Sequence, residues 1–194
     1  MKRIAITQRE DAVASHQEVR DALDQRWIEL LHACRLEPFI LPNHLPTVDC
    51  YLKRYAIDGF LFTGGNHLRS SSKRDVVENR LLSWGIDHQI PILGVCRGMQ
   101  LIQQFFGDVL IPVSHHVNNT HITYFAKSIR ITNSFHQLGS LKAAPFFDVL
   151  AKAEDGVIEA IAHKDLPCYG IMRHPEREYP FVADDLRFIQ EIFE

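Results

Sequence analysis

The chain has 194 residues, of which 46% are hydrophobic and 23% charged, an ordinary balance for a globular protein. Its net charge of -3 at pH 7 gives no electrostatic basis for binding nucleic acid or an anionic membrane. No apolar segment approaches the length of a membrane span, and the four scattered cysteines are typical of free thiols in a reducing compartment. We therefore expect one domain over residues 1–194 in the cytoplasm.

Strand and helix patterns alternate through the first half of the chain. Short apolar runs predict strands at residues 3–7, 38–41, 59–62 and 92–95. Apolar residues at helical spacing predict helices at residues 18–35, 48–55, 75–88 and 98–106. This alternation predicts an α/β fold in which a mostly parallel sheet is covered by helices on both faces.

The second half of the chain has a different pattern. Short strand candidates follow one another at residues 109–113, 129–132, 147–151, 157–162 and 168–172, and a helix over 184–193 ends the chain. Such a run predicts antiparallel strands added to one edge of the parallel sheet.

Cys96 lies between Gly94 and Gly98, directly after an apolar strand. A nucleophile on a sharp strand-to-helix turn needs small neighbours, and the following helix N-terminus favours a thiolate. We therefore predict that Cys96 is a nucleophile. The other three cysteines are interpreted as small core residues.

Backbone amides near this turn predict an oxyanion hole. The N–H of Arg97 belongs to the turn, and Gly64 and Gly65, at the end of the neighbouring strand, can supply a second N–H without side-chain obstruction.

A thiolate nucleophile usually needs an imidazole to carry the proton. His174 follows a predicted strand, and Pro175 fixes the turn that brings Glu176 within reach of the imidazole. Together with Cys96 this predicts a triad in the order Cys, His, Glu.

The remaining histidines give weaker signals. His115, His116 and His121 have no carboxylate or cysteine at ligand spacing, so we expect no metal there. His136, in the run N-S-F-H-Q (133–137), is a candidate for lining a pocket.

Three motifs together resemble the class I glutamine amidotransferase-like superfamily: G-V-C-R-G-M-Q (94–100), N-S-F-H-Q (133–137) and G-I-M-R-H-P-E (170–176). The resemblance spans nearly the whole chain. It implies a flavodoxin-like domain without a cofactor, the triad Cys96, His174 and Glu176, and an oxyanion hole at Gly65 and Arg97. We expect a small γ-glutamyl substrate to be bound by Gly64, Asn66, Gln100, Asn133, Ser134, His136 and Arg173.

Within the superfamily, Arg97 and the run K-R-D (73–75) followed by Glu78 are similar to the γ-glutamyl hydrolase branch, which is peptidase C26-like. The compact length is most similar to γ-glutamyl-CDP-amidate hydrolases. That resemblance implies hydrolysis of a γ-glutamyl amide through a glutamyl thioester, in the synthesis of capsule phosphoramidate. The cations that could hold a diphosphate leaving group are Arg69, Lys73, Arg74 and Arg173.

Three alternatives remain open. The chain could be a glutaminase subunit that supplies ammonia to a separate synthetase, or a γ-glutamyl-γ-aminobutyrate hydrolase. It could also be a catalytically inactive binding module, although the intact Cys96, His174 and Glu176 argue against that. A homo-oligomer is compatible with each.

Overall fold

Strands make up the centre of a computed structural model that describes residues 1–45, 47–70 and 72–194. In chain order the strands are β1 (Arg3–Ile6), β2 (Arg9–Val13), β3 (Glu18–Ala22), β4 (Glu37–Ile40), β5 (Gly59–Phe62), β6 (Ile92–Val95), β7 (Ile111–Pro112), β8 (Val117–Phe125), β9 (Ser128–Phe135), β10 (Leu138–Gly139), β11 (Phe147–Ala153), β12 (Ile158–His163) and β13 (Cys168–Ile171). Nine of them form one sheet in the order β4-β1-β5-β6-β13-β12-β11-β8-β9.

Helices cover both faces of that sheet. The helices are α1 (Arg26–Ala33), α2 (Val48–Arg54), α3 (Ser72–Asp87), α4 (Arg97–Phe105) and α5 (Ala183–Phe193), with short 3-10 turns at Ala14–His16 and Pro175–Arg177. Apolar residues of α2, α3 and α4 pack on one face of the sheet, and those of α1 and α5 pack on the other. The predicted α/β architecture is confirmed.

The sheet changes from parallel to antiparallel at β13. Strands β4, β1, β5, β6 and β13 pair in parallel, whereas β12, β11, β8 and β9 pair in antiparallel fashion. Since β5, β6 and β13 are parallel neighbours, their carboxyl ends meet at one edge of the sheet, where α/β proteins bind ligands.

The predicted helix over residues 18–35 is wrong in its first part. Residues 18–22 form β3, which pairs with β2 as a hairpin, and the helix begins only at Arg26. The helical spacing was misleading because Val19 is 67% exposed and packs in no core. Long-range bonds hold the hairpin instead: the Asp21 carboxylate accepts hydrogen bonds from the backbone N–H and the side-chain amide of Asn43, both at 2.9 Å.

The second half also differs in detail. Strand β8 was missed because its sequence, V-N-N-T-H-I-T-Y-F, is largely polar and its residues are mostly exposed. It forms because it pairs along β9 over its length. The strand predicted at 109–113 is reduced to the two residues of β7.

Two further observations concern the cysteines and the helices. Cys50 is exposed, unlike Cys34 and Cys168, so its interpretation as a core residue is wrong. Among the described residues, no helix is both long and apolar enough to cross a membrane.

Candidate active site

Cys96 occupies the sharp turn between β6 and α4, with backbone angles of φ 53° and ψ -104°. A positive φ at a residue other than glycine is costly and persists only where the surroundings enforce it. A Cβ on Gly98 would lie 2.3 Å from the carbonyl oxygen of Phe62, and one on Gly94 would lie 2.4 Å from the carbonyl carbon of Gly98. The two glycines therefore permit the close packing that holds the Cys96 side chain at the carboxyl edge of the sheet.

The four thiols have different surroundings. Burial raises the pKa of Cys34 and of Cys168 to about 12, so both remain neutral thiols at physiological pH. Cys50 is exposed. Cys96 alone among these four stands at the N-terminus of a helix that points into a cavity, where the helix dipole favours a thiolate.

His174 follows β13, the parallel neighbour of the strand that leads to Cys96. Its Nδ1 lies 2.7 Å from Oε1 of the buried Glu176. Because a carboxylate only accepts hydrogen bonds, Nδ1 carries a proton and Nε2 is left for the thiol. The point that a Cβ on Gly64 would occupy is 3.4 Å from His174 Nε2 and 3.5 Å from the Cys96 Cβ, so imidazole and thiol border the same space.

The surroundings of His174 favour its protonated form. Burial acts against the charge, but hydrogen bonds to Cys96 and Glu176 outweigh it and raise the pKa of His174 to about 9. An imidazolium beside the thiol is the arrangement that activates a cysteine nucleophile.

Gly64 leaves room for this imidazole. A Cβ at this position would lie 2.7 Å from Cε1 of His174, a distance that real contacts do not show. Position 64 therefore shapes the triad itself, whereas the sequence had suggested a substrate contact.

Asn133, on β9, holds the backbone of His174. Its Oδ1 accepts a hydrogen bond from the His174 N–H at 2.8 Å, and its Nδ2 donates to the His174 carbonyl at 2.9 Å and to Glu178 at 2.6 Å. The ring of Phe135, two residues further along β9, stands edge-on to the imidazole at 5.4 Å. The expected substrate contact at Asn133 is therefore corrected: its amide is occupied in positioning the histidine.

Two other expected substrate contacts also lie elsewhere. Ser134 is fully buried and donates its hydroxyl to the carbonyl of His116 at 2.7 Å. Arg173 is buried on the α5 side of the sheet, where its Nη2 lies 2.7 Å from Asp185 and its guanidinium lies over Phe125 and Phe188. Both side chains support the fold around His174 and do not line the cavity beside Cys96.

The loop after β5 has the backbone geometry of an anion site. Gly65 has φ 82° and Asn66 has φ 49°, so successive residues turn their N–H groups away from the strand. The side-chain amide of Asn66 accepts from the Glu10 N–H and donates to the Glu10 carbonyl, both at 2.8 Å. These two bonds fasten the loop to the β2–β3 hairpin, so this amide supports the loop.

A buried arginine–carboxylate cluster, made of Arg74, Asp75, Glu78 and Arg97, lies beneath that loop. Arg74 is fully buried and donates to the carbonyl oxygens of Thr63, Gly64 and Gly65 at 2.8, 3.1 and 3.2 Å.

The same cluster connects the loop to the elbow. Arg97 pairs with both Glu78 and Asp75, while its backbone N–H starts α4 and so has no intrahelical acceptor. Although burial disfavours its charge, Arg74 and Arg97 hold the pKa of Glu78 below its usual value. Arg74, like Arg173, is thus committed to internal ion pairs, which corrects the expectation that either holds a diphosphate. Arg69 and Lys73 are exposed.

A cavity of about 270 Å³ opens beside the thiol. The expected site residues that line it are Gly65, Asn66, Cys96, Arg97, Gln100 and His136. Gln100, on the first turn of α4, donates its amide to the carbonyl of Leu138 at 2.9 Å, which fixes the far wall. The cavity places the thiol, the α4 N-terminus and the Gly65 loop around one space.

Behind His136 lies a second buried group, the histidine–glutamate cluster of His116, His121, His136 and Glu159. Three of its members, His116, His121 and Glu159, have potential ligand atoms within 4.8 Å of one another. The expectation that no carboxylate is available to these histidines is therefore wrong. It failed because Glu159 lies on β12, far from them in sequence.

Comparison with known proteins adds an independent observation. Residues 17–179 match the glutamine amidotransferase class-I family. The γ-glutamyl-CDP-amidate hydrolase of Campylobacter jejuni is 33% identical over 181 residues, which cover 90% of each chain. The glutamine-hydrolysing subunit of the GMP synthase of Pyrococcus abyssi is 29% identical over 161 residues, 78% of this chain and 82% of that protein.

A solved structure shares the fold. The crystal structure of a protein from Thermoplasma acidophilum, described as a GMP synthase subunit, aligns with a TM-score of 0.76 and covers 99% of this chain and 92% of its own. At 20% sequence identity, this likeness bears on the fold alone.

Proposed function

The chain belongs to the class I glutamine amidotransferase family, and from that premise we propose that it hydrolyses a γ-glutamyl amide bond with Cys96 as nucleophile. The observation that carries the proposal is the meeting of the Cys96 elbow, the His174–Glu176 pair and the Gly65 loop around one cavity.

The first half of the reaction forms a thioester. The Cys96 thiolate attacks the γ-carbonyl carbon, and the backbone N–H groups of Gly65 and Arg97 donate to the oxygen as it becomes negative. The C–N bond then breaks, and Nε2 of the His174 imidazolium gives its proton to the departing nitrogen. Glutamate remains attached to the sulfur through a thioester.

The second half regenerates the enzyme. Neutral His174 takes a proton from water as the water oxygen attacks the thioester carbon, and the C–S bond breaks to release glutamate and the thiolate. Glu176 stabilises the imidazolium in both halves and keeps its Nδ1 protonated. Asn133 holds the histidine backbone throughout.

For the substrate, we propose γ-glutamyl-CDP-amidate. Similarity to the Campylobacter jejuni hydrolase extends over 90% of both chains, which supports a stand-alone hydrolase of this size. The product released with glutamate would be cytidine diphosphoramidate for capsule decoration. Of the cations considered for the diphosphate, Arg69 and Lys73 are the exposed ones, near the mouth of the loop after β5.

A second candidate function is that of a glutaminase subunit working with a separate synthetase. It is favoured by the similarity to the Pyrococcus abyssi protein, whose name describes a glutamine-hydrolysing subunit. In that case the amide nitrogen would leave as ammonia.

Substrate choice is tested by measuring glutamate release from three compounds side by side: γ-glutamyl-CDP-amidate, glutamine and γ-glutamyl-γ-aminobutyrate. We expect kcat/KM for γ-glutamyl-CDP-amidate to exceed the other two by about 100-fold, since each 1.4 kcal/mol of extra transition-state binding gives tenfold. Preference for glutamine, or glutamine hydrolysis that starts only when a GMP synthetase partner is added, would support the second candidate. Preference for the aminobutyrate compound would contradict both.

Chemistry is tested separately by Cys96→Ala. We expect glutamate release to fall by about 10⁴-fold or more, because no other group can form the thioester. The matched control is Cys50→Ala, which removes an exposed thiol and should retain full activity. A Cys96→Ala protein that folds normally and still turns over within tenfold of the parent would refute the triad.

A further inference from the structure

The histidine–glutamate cluster is built from two strands and two loop positions next to strands. His121 lies on β8, Glu159 on β12, His136 just after β9 and His116 just before β8. Oε1 of Glu159 lies 3.3 Å from Nδ1 of His116, 3.5 Å from Nε2 of His121 and 3.3 Å from Nε2 of His136. Three imidazole nitrogens therefore converge on one carboxylate oxygen.

Hydrogen bonds outside the cluster fix which ring nitrogens carry protons. Nε2 of His116 lies 3.0 Å from the carboxylate of Asp155, and Nδ1 of His136 lies 3.0 Å from the carbonyl oxygen of Leu138. Both of these partners can only accept, so the protons sit on those outer nitrogens. Nδ1 of His116 and Nε2 of His136 then turn their lone pairs inward, 3.1 Å apart.

The interior of the cluster is consequently rich in acceptors. Neither carboxylate oxygen of Glu159 has a donor in hydrogen-bonding geometry among the described residues, and the same holds for both ring nitrogens of His121. Glu159 is 2% exposed, His116 3% and His136 2%. Buried acceptors that face one another without a donor are unfavourable unless a cation lies between them.

We propose that this cluster binds a divalent transition-metal ion of the zinc class, with Nδ1 of His116, Nε2 of His121 and Oε1 of Glu159 as ligands. Metal–ligand bonds of 2.0–2.1 Å in a tetrahedron require ligand atoms about 3.4 Å apart. The two distances from Oε1 of Glu159 to these histidines are 3.3 and 3.5 Å. Imidazole and carboxylate together suit zinc and do not match the oxygen-only preference of calcium or magnesium.

The surroundings match those of known metal sites in a further respect. Ligating histidines usually donate their outer N–H to a carboxylate or a backbone carbonyl, and Asp155 plays that part for His116. His136 has the same arrangement with Leu138, and its Nε2 is the nearest candidate for a fourth ligand.

The site would act on the cavity through His136. This residue lines the space beside Cys96, and its backbone N–H donates to the His116 carbonyl at 2.9 Å. A metal ion would tie β8 and β9 to β12 and so hold that wall of the cavity in place. The role assigned is structural, and it is independent of which amide the enzyme cleaves.

The test is a titration of the full chain with ZnCl₂ and CoCl₂ in a Cys96→Ala background, so that the triad thiol cannot bind the ion. We expect one equivalent to bind, the tetrahedral visible spectrum of Co²⁺ to appear, and the melting temperature to rise. Glu159→Gln and His121→Ala should each weaken binding by about 100-fold or more, and Asp155→Asn by about 10-fold, the usual effect of an outer partner.

Two features keep the test decisive. His121 is partly exposed at the edge of the cluster, so His121→Ala remains informative if Glu159→Gln fails to fold. The matched control is His32→Ala, at an exposed position on α1, which should bind as the parent does. Absence of stoichiometric uptake at tens of micromolar ion, or equal affinity in the parent, Glu159→Gln and His121→Ala, would overturn the proposal.

Discussion

Two buried polar clusters border the cavity beside Cys96, and they neutralise their charges in different ways. The arginine–carboxylate cluster belongs to the parallel half of the sheet and pairs two guanidinium groups with two carboxylates. The histidine–glutamate cluster belongs to the antiparallel half and sets one buried carboxylate among imidazoles whose inward nitrogens only accept.

The difference indicates different tasks for clusters of similar burial. A group that closes its charges internally gains nothing from a solution ion, and its hydrogen bonds to the loop carbonyls make it a fixed support for Gly64 and Gly65. A group that lacks a cation has capacity to bind one. The charge balance within a cluster is therefore more informative about its role than burial.

The largest effect is expected when the internal balance of the first cluster is broken. Glu78→Gln leaves Arg74 and Arg97 with only Asp75, and removing one partner of a buried ion pair costs about 3–5 kcal/mol. We expect the free energy of unfolding in urea to fall by about that amount.

The matched control for that change is Asp49→Asn. It breaks the exposed Arg80–Asp49 pair and should not measurably change stability. If Glu78→Gln were as stable as the parent, the arginine–carboxylate cluster would not be a support for the loop.

A smaller effect is expected where the antiparallel half reaches the triad. Asn133→Ala removes the amide that holds the His174 backbone, so the imidazole loses its alignment with the thiol. We expect kcat to fall about 10–100-fold with little change in KM.

Asn119→Ala is the control for Asn133, because Asn119 is exposed on β8 and its side-chain amide donates to the carbonyl of His115. A rise in KM with unchanged kcat would show that Asn133 contacts the substrate, as the sequence had suggested.

The smallest effect concerns pH. The folded-state pKa of His174, about 9, lies above the usual 6.5, so the imidazolium needed as general acid persists until the pH passes about 9. We expect kcat/KM to fall about tenfold per pH unit above that value. By the same linkage, the stability that the raised pKa contributes is present below pH 6.5 and is lost as the pH rises through about 9.

Glu176→Gln should move this basic limb to lower pH by about one unit, because the carboxylate stabilises the imidazolium. Asp155→Asn, which changes a carboxylate that contacts His116 in the other cluster, should leave the limb where it is. A limb that moves equally in both variants would contradict the assignment to His174.

The elements of the parallel half could be predicted from sequence because their signals are local. An apolar run predicts a buried strand, and Gly94 and Gly98 around Cys96 predict a sharp turn whose close packing is then observed. Likewise, His174 and Glu176 are only two residues apart, so a short turn suffices to bring their side chains together.

Other features depended on partners that are distant in sequence. The strand at residues 18–22 and the polar strand β8 form because of their pairing and not because of their own apolar pattern. The amide of Asn133 could not be assigned to the His174 backbone, 41 residues away, by any local rule.

The sequence by itself thus determined the order of chemical groups along the parallel half: a glycine loop, a cysteine elbow and a histidine–glutamate turn, each after its own strand. Only the tertiary structure decided that Arg74 is a buried support and that Glu159 joins His116 and His121. The physical reason is that a turn or a helix is stabilised by neighbours in the chain, whereas the charge balance of a buried cluster depends on which strands the fold brings side by side.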